Sequence, residues 1–100
     1  MNIIVPVDCD DLEEAKITMI NEAKFWLFFT MENGKASNVK FYATWEESCE
    51  SLDIVIIKDA KDYVWPFMEK HIAVLVTSTQ RYFEDIVEAY IFKELYDLNI

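Results

Sequence analysis

Two cysteines, one histidine and a knot of carboxylates are the side chains of this 100-residue chain with the most chemistry to offer. Cys9 and Cys49 are thiols, and thiolates suit soft metals and iron–sulfur species. Their positions make neither a zinc-type pattern nor a secreted disulfide framework, so reduced thiols in the cytoplasm are expected. Asp8, Asp10, Asp11, Glu13 and Glu14 could draw a hard cation. They lack the calcium-loop spacing, however, and read first as a solvated loop leading into a helix start. His71 follows a predicted helix, where a cap or a favourable dipole contact explains it. A lone histidine in that place builds no Ser–His–acid or Cys–His constellation, and no carboxylate pair stands apart by its spacing. No enzyme is expected.

Charge narrows the partners. Nineteen acidic residues against nine basic ones give a formal net charge of −10, a field that repels nucleic-acid phosphates and anionic membranes. Arg81 is the only arginine, which leaves no arginine clamp for a phosphorylated ligand. No apolar run approaches the ~20 residues needed to cross a bilayer. With 53% hydrophobic residues, one Gly and two Pro, the composition fits one packed domain over residues 1–100 and not a disordered chain.

The elements that must position these groups follow from patterning. Asn2–Val7 is a β-branched run in which Pro6 marks an exit from the ladder. Leu12–Lys16 reads as a short helical turn. Phe25–Met31 and Ala36–Ala43 flank Asn33-Gly34, the preferred pair for a type I′ hairpin turn; the second arm alternates like a half-exposed edge strand. Trp45–Ser51 is a connection, Asp53–Lys58 a buried parallel strand, and Asp62 a cap for a helix starting near Tyr63 with Pro66 in its first turn. Ile72–Val76 is another buried strand. Thr77–Gln80 resembles a capping box ahead of a helix over about Arg81–Leu98, whose core stripe is Phe83, Ile86, Val87, Tyr90, Ile91, Leu95 and Leu98. A second row on that helix, Tyr82, Ala89, Phe92 and Tyr96, points to a homodimer through Tyr82, Phe92 and Tyr96.

The run NIIVPVDCD, the hairpin FWLFFTMENGKASNVKF and the closing FEDIVEAYIFKEL resemble the dinitrogenase iron-molybdenum cofactor biosynthesis family. The resemblance implies an α/β, ribonuclease-H-like three-layer fold with a mixed five-stranded sheet, order 3-2-1-4-5, strand 2 antiparallel. It also implies a non-catalytic binding or carrier protein whose cargo is an iron–sulfur or iron-molybdenum type cluster or another small ligand. Met19 stands where relatives carry a metal-binding His, and Lys58-Asp59-Ala60-Lys61-Asp62 replaces their glycine-rich turn. Cys9, Met19 and Cys49 are therefore the candidate cofactor-binding residues. The alternative is a protein-interaction or regulatory module that keeps the scaffold without a ligand site.

Overall fold

A computed structural model describes residues 1–48 and 51–98, so Cys49 lies outside the described residues. Six strands form one sheet: β1 (Asn2–Val7), β2 (Phe25–Glu32), β3 (Lys35–Tyr42), β4 (Ile54–Ile57), β5 (Ala73–Val76) and β6 (Tyr96–Asp97), in the order β3-β2-β1-β4-β5-β6. β4 runs parallel to β1 and β5 to β4, while the β1–β2, β2–β3 and β5–β6 pairs are antiparallel.

Strict alternation divides the apolar residues between two faces. Ile3, Val5, Leu27, Phe29, Ile54 and Ile56 pack with Ile86 of α2 (Phe83–Ile91). Ile4, Trp26, Val55, Ile57, Val74 and Val76 pack with Phe67 of α1 (Trp65–Glu69). Each such side chain contributes about 1.5–3 kcal/mol by leaving water. Phe29 meets Phe83 edge-on, with ring centroids 5.2 Å apart.

Pro6 lies in a central strand without breaking a ladder. Its register runs to Trp26 on β2, but the pairing with β4 stops at Ile4, and the Pro6 carbonyl accepts from Thr18 N at 3.0 Å. The missing N–H falls beyond the last β1–β4 pair, where no ladder bond is lost.

Four expectations need correction. The sheet has six strands, not five. The last helix ends at Ile91, and Tyr96–Asp97 returns to pair with Leu75 and Val76. Leu98 therefore packs in the opposite core, on the α1 side. Tyr82 and Phe92 flank α2, Tyr96 is a strand residue, and Ala89 is buried, so the second helical row does not exist as a face. Pairing gives the outer edge of β5 hydrogen-bond partners that a longer helix would have left unmade. Finally, Asp62 is not the cap of α1, whose N-cap is Val64. The short helical turn expected after Asp11 is present as a single turn closed by Ala15 N to Asp11 O at 2.7 Å.

Both helices end in the same way. After α1, His71 N donates to Met68 O and Ile72 N to Phe67 O; after α2, Lys93 N donates to Tyr90 O and Glu94 N to Ala89 O. These are Schellman closures, and the residue that must turn left-handed is usually Gly. Here His71 (φ 60) and Lys93 (φ 58) fill that place.

Candidate functional site

In open α/β sheets ligands bind beyond the carboxyl ends of parallel strands, where the connections diverge. In this protein that place lies at the ends of β1 and β4. The connection leaving β1 is tied down at several points. Asp8 N donates to Lys16 O at 3.1 Å and Lys16 N donates back to Asp8 Oδ1 at 2.9 Å. Ile17 N reaches Arg81 O at 2.9 Å, and Lys24 N returns to Val7 O at 3.0 Å.

Cys9 leaves this edge two residues past β1. It is half-buried against the α2-side core, its Sγ 3.9 Å from Asp11 O. Met19 is half-buried at the start of a 3-10 turn, Ile20–Glu22, and its neighbour Ile20 packs on the α1 side. The same connection thus carries Cys9 toward one face and Ile20, next to Met19, toward the other. A resident iron–sulfur cluster uses four thiolates. No group of three His, Cys, Asp or Glu able to hold a metal occurs among the described residues, so their donor set does not fit such a cluster.

The acidic residues have structural work. Asp8 and Asp11 accept backbone N–H bonds within their own loop. In the turn after β4, Lys61 N donates to Asp59 Oδ1 and Tyr63 N to Asp62 Oδ1, both at 2.8 Å. Asp62 Oδ2 takes the N–H of Ile20 at 2.8 Å from across the edge. An anion cradle needs free backbone donors, and these three amides are already engaged by carboxylates.

Two larger cavities flank α2. One, of about 640 Å³, opens at its first turn between Leu12, Glu13, Tyr82, Phe83, Glu84 and Asp85. Lys16 Nζ stands 5.6 Å from the Tyr82 ring centroid beside it, a cation over an aromatic face. The other, of about 480 Å³, lies at the opposite end of α2 and includes Met31, Leu75, Ile91, Lys93 and Leu95. Sequence reasoning missed this second one, because the end of α2 that frames it carries no Gly or Pro stop signal. His71 is exposed and precedes β5, at the amino end of the strands, the far end from Cys9.

No family model and no curated protein matches the sequence. Solved structures do. PH0822 superposes with a TM-score of 0.75 at 16% identity, covering 97% of this chain and 96% of that one. A protein of Methanocaldococcus jannaschii provisionally called a dinitrogenase gives 0.76 at 16% identity, covering 97% and 93%. A Thermotoga protein provisionally called NifB, of the DUF35 family, gives 0.72 at 13% identity, covering 99% and 94%. At these identities the likeness is one of fold.

Proposed function

We propose that the chain is a non-catalytic binding or carrier protein of the nitrogenase-related kind, built on a ribonuclease-H-like scaffold. The observation that carries this reading is the position of Cys9: a half-buried thiol on the connection that leaves β1, beside the β1–β4 divergence. The fold likeness to two proteins with nitrogenase-related names supports it. With a single thiol at this edge among the described residues, cargo is held by a labile contact and passed on. Anaerobic incubation with iron and sulfide tests this. A stoichiometric chromophore that disappears in Cys9→Ser supports carriage; a colourless product in the wild type rejects it.

A second reading, a protein-interaction module, is favoured by one observation. The three amides around the turn after β4 are already bonded within the chain, while Tyr63 and Trp65 beside it stand 67% and 58% exposed. Exposed Phe92 and Tyr96 provide the corresponding surface for a homodimer. Sedimentation that gives a dimer in the wild type and a monomer in Phe92→Ser supports that assembly, and a wild-type monomer at high micromolar concentration rejects it.

A further inference from the structure

The cavity at the end of α2 is framed by what the helix fails to cover. Nine residues span about 13.5 Å of helix, whereas the six residues of β1 span about 20 Å. The amino end of the α2-side sheet face is therefore left beyond the helix. On one side the tip of the β2–β3 hairpin overhangs it with Met31, Glu32, Asn33 and Gly34; on the other stand Tyr90, Ile91, Lys93 and Leu95, with Leu75 of β5 also in the wall. The volume of this open pocket, about 480 Å³, falls within the roughly 300–1,000 Å³ typical of small-molecule sites.

The walls are chemically uneven. Met31, Leu75, Ile91 and Leu95 offer dispersion and no hydrogen bonds. Lys93 is the one basic residue among the described residues lining the cavity. It occupies the left-handed position of the closure after α2, at φ 58, where an L-residue costs about 1–2 kcal/mol and Gly costs nothing sterically. Glu32, the one acidic member of the lining, stands opposite Lys35 in the hairpin register. A phosphate or sulfate head calls for an arginine fork or several converging N–H groups. One lysine above apolar walls suits a single carboxylate.

We propose that this cavity binds a small aliphatic monocarboxylate, its hydrocarbon against Met31, Leu75, Ile91 and Leu95 and its carboxylate at the Lys93 ammonium. The site is independent of the carrier reading, since its lining includes no residue of the connection that carries Cys9. Amide-detected NMR titration of the wild type with octanoate and with octanol tests it, repeated on Lys93→Met and Leu75→Trp. The expected result is saturable octanoate shifts concentrated at residues 31–34, 75 and 90–95. Lys93→Met should weaken octanoate about tenfold, the scale of one charge-assisted contact at a partly exposed site, and leave octanol unchanged. Leu75→Trp should fill the cavity and abolish both. Octanoate shifts that do not saturate, or that centre elsewhere, overturn the proposal. So does equal octanoate affinity in the wild type and in Lys93→Met, a variant whose changed side chain is exposed and leaves the core intact.

Discussion

The carboxylate of Asp62 accepts the backbone N–H of Ile20 at 2.8 Å across 42 residues of sequence. This one contact fastens the connection leaving β1 to the connection leaving β4, over the place where an open α/β sheet offers its ligand crevice. The same side chain takes the N–H of Tyr63 with its other oxygen. It therefore organises its own turn and a distant 3-10 turn at once.

Removing that carboxylate should loosen the edge without unfolding the sheet. A hydrogen bond to a charged acceptor contributes about 1.5–3 kcal/mol when buried, and less where water competes. Asp62→Ala is expected to cost about 1–2 kcal/mol in urea denaturation and to speed amide exchange at Ile20 and its neighbours at least several-fold. The amides of β1 and β4 should keep their protection. Unchanged exchange at Ile20 would show that the tether does not hold in solution.

Glycine at the helix closures should stabilise the protein. His71 adopts φ 60 and is exposed, so its left-handed strain is offset by no burial of its own side chain. His71→Gly relieves that strain but loosens the unfolded chain. The expected net gain is about 0.5–1 kcal/mol, read as a higher denaturation midpoint at unchanged slope. A lower midpoint would mean that the imidazole makes a contact stronger than the strain.

These closures explain what the sequence reveals and what it hides. The hairpin is legible because Asn33 and Gly34 have the residue types that positive φ favours, and both adopt it. The β-branched runs of β1 and β4 are legible because burial on both faces demands continuous apolar residues, whereas β5 buries only Val74 and Val76. The end of α2 is not legible. Lys93 carries no stop signal, and Leu95 and Leu98 happen to continue the helical spacing beyond it, although one packs on the α2 side and the other on the α1 side. Asn38, at φ 53, likewise shifts the register within β3, between Lys40 opposite Phe28 and Ser37 opposite Thr30. Of the candidate site, the position of Cys9 just past a strand is legible from the β-branched run that precedes it. The Asp62 tether joins residues too far apart for any local pattern to disclose.

The return of the chain after α2 makes its own prediction. Leu98 N donates to Val74 O at 2.9 Å, and its side chain packs with the α1-side core. Leu98→Ala should cost about 1–2 kcal/mol, below the usual range for a fully buried leucine because Leu98 is only half-buried. Nuclear Overhauser contacts from Leu98 should run to Val74 and its face. Contacts to Ile86 instead would restore the long helix and remove β6.

Thr77 offers the sharpest energetic test. Its backbone N–H closes on Ile57 O at 3.0 Å, yet its Oγ1 has no partner, the one such buried side-chain polar atom among the described residues. The residue is only 4% exposed. A buried hydroxyl without a partner costs roughly 1–3 kcal/mol, and valine has the same branched shape without the oxygen. Thr77→Val should therefore raise stability by about 1 kcal/mol, whereas Thr77→Ala should lower it by opening a small void. A loss on Thr77→Val would mean that the hydroxyl is satisfied in solution by a buried water, and high-resolution density at Oγ1 would locate it.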